Sequence, residues 1–142
     1  MNFITPISSF HHVAISVQDL SASVAFYKRF GFREALTWTD PTGDLVIKHM
    51  ALGNFILEIF AYREATGDGL PDRDLADDLK IRGVRHIGIR VIDVRKAHAD
   101  LIAGGFKPLA EVQRGRTGIE YFFIRDPDGI FVEFVQDDRN LP

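Results

Sequence analysis

Cysteine is absent from the 142-residue chain. That excludes disulfides, thiolate nucleophiles, iron–sulfur clusters and cysteine-based zinc sites. Any metal must be held by His, Asp or Glu. Long apolar runs are also missing. Nothing approaches the roughly 18 residues that cross a bilayer, so no membrane partner is expected. Charge of one sign does not accumulate: 17 Lys and Arg stand against 20 Asp and Glu, a formal charge of −3. No basic block stands out, so nucleic acid is not an expected partner either. Met1 to Phe10 carries no positive n-region and no apolar h-region. A secretory signal is therefore not expected, and the cytoplasm is the expected location. What is present is ordinary for a globular chain, with 46% hydrophobic and 26% charged residues. The length suits one domain or two small halves.

The chain reads as two copies of one module. His11 to Val17 alternates as a strand, with Val13, Ile15 and Val17 on one face and His12, Ala14 and Ser16 on the other. Asp19 is placed to cap a helix over residues 20–30, and Gly31 to end it. Phe32 to Thr39 reads as extended, 40–44 as a loop, and Leu45 to Leu52 and Phe55 to Tyr62 as strands joined at Gly53-Asn54. The second half repeats the pattern: His86 follows His12, Asp93 follows Asp19 and Gly105 follows Gly31, each at an offset of 74 residues. A helix is expected from Val94 to Ala103, an extended run from Lys107 to Gln113, and strands over Ile119 to Arg125 and Ile130 to Gln136. The expected fold class is α+β, with two tandem βαβββ modules. The expected boundaries are residues 9–62 for the first module, 63–84 for a linker and 85–137 for the second module, within a single domain spanning 1–142. A short polar helix is expected over Asp74 to Ile81.

Four ionisable residues occupy matched places. His12 and His86 sit on the first strand of each module, Glu58 and Glu133 on the last, with Glu133 offset from Glu58 by 75 residues. Each glutamate interrupts an apolar run, Phe55-Ile56-Leu57-Glu58-Ile59-Phe60 and Ile130-Phe131-Val132-Glu133-Phe134-Val135. A carboxylate there is costly unless it faces water, a cation or a donor. Alternation puts both glutamates and both histidines on the face away from the helices. Two imidazoles and two carboxylates are a ligand set for one divalent ion such as Ni, Zn, Co, Mn or Fe. Taken singly, each has a blander role, a satisfied strand histidine or an edge-strand charge that limits aggregation.

These segments resemble the vicinal oxygen chelate superfamily of glyoxalase I, bleomycin and fosfomycin resistance proteins, methylmalonyl-CoA epimerase and extradiol dioxygenases. The resemblance covers residues 9–137. It rests on His11-His12-Val13-Ala14-Ile15-Ser16-Val17-Gln18-Asp19-Leu20, Phe26-Tyr27-Lys28-Arg29-Phe30-Gly31-Phe32, Arg85-His86-Ile87-Gly88-Ile89-Arg90-Val91 and Asp126-Pro127-Asp128-Gly129-Ile130-Phe131-Val132-Glu133-Phe134. The chain looks most like the small glyoxalase I-like bacterial proteins. The resemblance implies that the two modules form a curved mixed sheet around a metal site, with ligands at His12, Glu58, His86 and Glu133. It further implies a metal-dependent isomerase or lyase that acts on a small oxygenated substrate through an enediolate, with Glu133 as the base and Glu58 as the other option.

Two other readings stay open. One is a ligand- or drug-sequestering protein of the bleomycin-resistance type. The other is an Fe(II) extradiol-type dioxygenase using His12, His86 and Glu133. Ser16 stands where bacterial glyoxalase I proteins carry an Arg for glutathione, which puts glutathione in doubt as a co-substrate. Arg90 holds the equivalent place in the second module and is a candidate for a substrate carboxylate or phosphate. Tyr121 is a candidate pocket hydroxyl. His49 has no assigned face, and His11 and His98 are given no role, His98 being read as solvated surface. The expected partners are a small-molecule substrate and a second copy of the chain in a homodimer.

Overall fold

The computed structural model describes residues 6–142, so the start of the Met1–Phe10 stretch lies outside the described residues. The chain falls into two compact units that divide between Gly67 and Asp68. The first holds β1 (His12–Ser16), α1 (Leu20–Lys28), β2 (Arg33–Thr39), β3 (Leu45–Leu52) and β4 (Phe55–Tyr62). The second holds α2 (Leu75–Asp78), β5 (His86–Arg90), α3 (Val94–Ala103), β6 (Gln113–Arg114), β7 (Glu120–Arg125) and β8 (Phe131–Gln136). Apart from the single turn α2, each unit reads βαβββ, as the internal repeat predicts.

Each unit forms its own four-stranded mixed sheet, ordered β1-β4-β3-β2 and β5-β8-β7-β6. The first strand pairs parallel with the last, and the other pairs are antiparallel. The helix between the first and second strands of each unit starts on a matched cap. Asp19 accepts from the Ala22 N–H at 3.0 Å, and Asp93 accepts from the Lys96 N–H at 2.9 Å. Each side chain satisfies a donor that the first helical turn leaves unpaired. Both helices end on a glycine in the left-handed region, Gly31 at φ 88° and Gly105 at φ 87°. Beyond it the Phe32 N–H returns to the Tyr27 carbonyl and the Phe106 N–H to the Leu101 carbonyl.

One face of each sheet is core. Ile15, Met50, Leu57 and Ile59 are buried in the first unit, with Tyr27 of α1 fully buried. Ile87, Ile89, Phe122, Ile124, Val132 and Phe134 are buried in the second, where α3 packs on β7 and β8. The period of two then turns His12, Glu58, His86 and Glu133 to the opposite faces.

Three local expectations need correction. The extended run Lys107–Gln113 yields only a two-residue strand, Gln113–Arg114. Pro108 has no N–H for a ladder, and the Leu109 N–H bonds instead to the Phe123 carbonyl. His98 is buried rather than solvated: its Nε2–H donates to the Ala110 carbonyl at 3.1 Å, and its ring stands edge-on to Phe122 with centroids 4.9 Å apart. The helix expected over Asp74–Ile81 is one turn, capped by Asp74 accepting from the Asp77 N–H.

The stretch after Asp68 is tied into the second unit. Asp78 is buried and accepts from Arg85 Nη2 at 2.7 Å and Nε at 3.1 Å. The Arg85 guanidinium holds the Asp78 carboxyl below the ordinary carboxylate range. Arg125 Nη2 donates to the Arg73 carbonyl. Among the described residues, no helix is long and apolar enough to cross a membrane.

Candidate metal-binding site

Register builds the arrangement in the first unit. β1 runs parallel to β4 with Ala14 beside Glu58, and β3 runs antiparallel to β4 with His49 opposite Glu58. His12, two residues from Ala14, shares that face. The result is one carboxylate between two imidazoles. Glu58 Oε1 lies 3.6 Å from His12 Nε2. Glu58 Oε2 accepts from His49 Nε2–H at 2.7 Å. The other nitrogen of His12 also has a neighbour, because His11 Nδ1 stands 2.8 Å from His12 Nδ1. One of these two nitrogens carries the shared proton. With that proton on His12 Nδ1, the lone pair of His12 sits on Nε2, toward Glu58.

The second unit repeats part of this. Gly88 lies beside Glu133 on β5, and Phe123 lies opposite it on β7. Glu133 Oε2 is 3.3 Å from His86 Nε2. The Phe123 ring meets the His86 ring edge-on at 5.2 Å between centroids. His86 Nδ1 is buried and has no hydrogen-bond partner among the described residues. A buried ring nitrogen left unsatisfied costs roughly 1–3 kcal/mol.

The donor chemistry fits a divalent cation. A carboxylate oxygen facing an imidazole lone pair is repulsive unless a proton or a cation lies between them. Nitrogen and oxygen ligands at about 2.0–2.1 Å from one ion stand about 2.8–3.0 Å apart in an octahedron and about 3.3–3.4 Å apart in a tetrahedron. The His86–Glu133 separation of 3.3 Å matches the tetrahedral value, and the His12–Glu58 separation of 3.6 Å lies just beyond it. Within the described residues, no three His, Asp or Glu side chains gather into a ready-made metal cluster. Each module supplies one imidazole–carboxylate pair.

The other predicted site residues fall on the Glu133 face. Arg90 extends the line of His86 and Gly88, and its Nη2 donates to the Asp137 carbonyl at 2.5 Å. Tyr121 is next to Phe123 in that face, and its hydroxyl donates to Gln113 Oε1 at 3.3 Å. His49 is the residue that the sequence pattern left without a face. The signal was available: a two-residue Gly53-Asn54 turn fixes the register of the whole hairpin, and that register sets His49 opposite Glu58. His11 also proves to be a neighbour of the site through its contact with His12.

The comparisons with known proteins agree with this architecture. The chain is 30% identical over 130 residues to the mitochondrial methylmalonyl-CoA epimerase of Homo sapiens, covering 89% of this chain and 72% of that protein. The crystal structure of SMU.1112c superposes with a TM-score of 0.73 at 28% identity, over 92% of this chain and 99% of the other. A glyoxalase family protein from Enterococcus faecalis gives a TM-score of 0.72 at 26% identity, over 89% of this chain and 96% of the other. Residues 9–134 match the family model, and the chain belongs to the Glyoxalase/Bleomycin resistance protein/Dioxygenase superfamily.

Proposed function

We propose that this protein is a divalent-metal-dependent isomerase or lyase of the glyoxalase type, acting on a small oxygenated substrate. The ligands in this reading are His12, Glu58, His86 and Glu133. The observation that carries it is the repeat of one imidazole–carboxylate pair at equivalent places in the two modules, at 3.6 Å and 3.3 Å. A lone pair of this kind has many structural explanations. Two, on the matched strands of a duplicated module, share one explanation. The superfamily usually binds a divalent metal. The relative that is a methylmalonyl-CoA epimerase supports an enolising reaction class.

A bound ion would supply Lewis-acid polarisation of a substrate carbonyl, lowering the cost of removing a proton from the neighbouring carbon. The chain's own residues do the rest. Glu133 accepts the carbon-bound proton and returns it to the enediolate, on the same or a neighbouring carbon. Its carboxylate is well placed for this because the residue opposite it, Phe123, offers no hydrogen-bond donor. Glu58 is the alternative base. Arg90 holds a substrate carboxylate or phosphate, and Tyr121 contributes a hydroxyl. A homodimer in the cytoplasm completes the proposal.

The test is metal content of protein purified without added metal or a His tag, in the wild type and in Glu58→Gln. It is followed by deuterium incorporation from D2O into carbonyl compounds, 2-hydroxy acids and a methylmalonyl thioester. A stoichiometric divalent ion weakened by Glu58→Gln, with exchange into one of these compounds, supports the reading. Iron retained equally by both proteins moves the chemistry to oxygen and the His12, His86, Glu133 triad. No metal after reconstitution with several ions overturns the enzyme, and a ligand-sequestering protein takes its place.

A further inference from the structure

The two oxygens of Glu58 have different neighbours. Oε2 takes a 2.7 Å hydrogen bond from His49, while Oε1 stands 3.6 Å from His12 Nε2. His49 is itself constrained. It sits in the middle of β3, between β2 and β4, with a side chain only 25% exposed. A short, charge-assisted bond from an imidazole on a central strand is a strong restraint on a carboxylate.

The matching glutamate lacks it. Phe123 takes the place of His49 opposite Glu133, and Gly88 takes the place of Ala14 beside it. Phe123 has nothing to donate. A Cβ added at Gly88 would stand 3.6 Å from Glu133 Oε2, so the missing methyl leaves open room next to that carboxylate. One glutamate is tethered on one side and flanked on the other. Its counterpart has no donor opposite it and no methyl beside it, and faces His86 at 3.3 Å.

We propose that His49 is a positioning residue. It occupies Oε2 of Glu58 and leaves Oε1 as that residue's single ligating oxygen, which fixes the orientation of that carboxylate. This rests on the reading of His12, Glu58, His86 and Glu133 as ligands of one divalent ion. A hydrogen bond to a ligating carboxylate fixes its orientation, and losing such an outer partner typically weakens metal binding by about 10–100-fold.

The experiment is titration of the metal-free full-length protein with Co(II), read by visible absorption, in the wild type, His49→Phe and His49→Gln. Phe is the residue the second module carries at this place. Gln keeps an N–H at about the distance of Nε2. Circular dichroism and thermal unfolding confirm that each variant is folded, with His49→Leu replacing His49→Phe should the latter not fold. The expected result is one Co(II) bound by the wild type, a Kd about 10–100-fold weaker and an altered d–d band in His49→Phe, and recovery of both in His49→Gln. Equal affinity and an equal spectrum in His49→Phe overturn the tether and leave the ligand set standing. A His49→Gln protein as weak as His49→Phe also overturns it, because shape rather than the hydrogen bond would then be the cause. A wild type that binds no Co(II) overturns the ligand set, and the tether falls with it.

Discussion

Glu58 and Glu133 hold the same place in their two modules, but their surroundings have diverged. Each lies in the last strand, and each faces the first-strand histidine of its own unit. The difference is in the strand alongside, where β3 presents His49 and β7 presents Phe123. In the proposed reading both modules carry a ligand pair, and the different neighbours divide the task between the two carboxylates. A restrained carboxylate suits permanent coordination, whereas a base must move between the ion and a carbon-bound proton. The largest effect should follow from that difference. Glu133→Gln is expected to lower the deuterium-exchange rate by about 10²–10⁴-fold, the range of a general base. It should do so more than it weakens Co(II) binding. Glu58→Gln should do the reverse, with affinity falling first. If both variants lose rate and affinity in the same proportion, the two carboxylates are equivalent and the division of labour is wrong.

The buried faces offer a control in which the modules should behave alike. Leu57 and Val132 occupy matched places one residue before each glutamate, and both are fully buried. Leu57→Ala is expected to destabilise by about 2–5 kcal/mol, the cost of lost burial plus a cavity. Val132→Ala removes less side chain and should cost less. Urea unfolding measures both. The asymmetry of the site is then separable from any asymmetry of stability.

Much of this was legible from residue positions alone. The 74-residue offset ties His86 to His12, and the Asp19 and Asp93 caps and the Gly31 and Gly105 stops sit where local chemistry requires them. The His–Glu pairs follow from alternation on strands with one apolar face. The face of His49 is not legible in the sequence because alternation says that two faces exist, not which one a given strand presents. Only cross-strand register decides that, and it passes through the Gly53-Asn54 turn. His98 departs from its expected solvated place for a related reason. Charged Lys96 and Asp100 flank it in sequence, but it lies four residues from buried Val94 and so on the inner face of α3. How β6 would pair depended on where Pro108 let the ladder begin.

Transplanting the tether sharpens the comparison. Phe123→His places an imidazole opposite Glu133 in the register that His49 has opposite Glu58. Metal affinity should hold or rise, while the exchange rate falls by about 10-fold, the low end of the effect of an outer-shell partner. Phe123 is only 6% exposed, so some stability is lost as well, and the exchange rate is compared at a temperature where both proteins are folded. An exchange rate unchanged by Phe123→His would mean that freedom of Glu133 is not what the second module supplies. The two helix caps give a smaller and symmetrical effect. Asp19→Ala and Asp93→Ala should each cost about 1 kcal/mol, measured by urea unfolding.

The smallest effect concerns a feature of the first unit that the repeat does not carry over. Glu34, at the start of β2, is held by Lys28 at 2.8 Å and Lys48 at 2.5 Å. Hydrogen bonds from Lys28, then from Lys48, pull its pKa from 4.5 down to about 2. The offset that links the modules brings Glu34 to Pro108, which carries no charge. Because the folded-state value is depressed, the stabilisation is fully present above the unfolded value near 4.5. It is lost as pH falls through about 2. The group is at the surface, so solvent and salt screen the pair and its share of stability is small. Carboxyl NMR should show a Glu34 midpoint near 2, rising toward 4.5 in Lys48→Met as one of its two lysine partners is removed. The stability difference between the wild type and Glu34→Gln should shrink as pH falls from 4.5 toward 2, and shrink further in high salt. A midpoint that stays near 2 in Lys48→Met would assign the restraint to Lys28 alone, and with it the link between α1 and β2 rather than the link between β2 and β3.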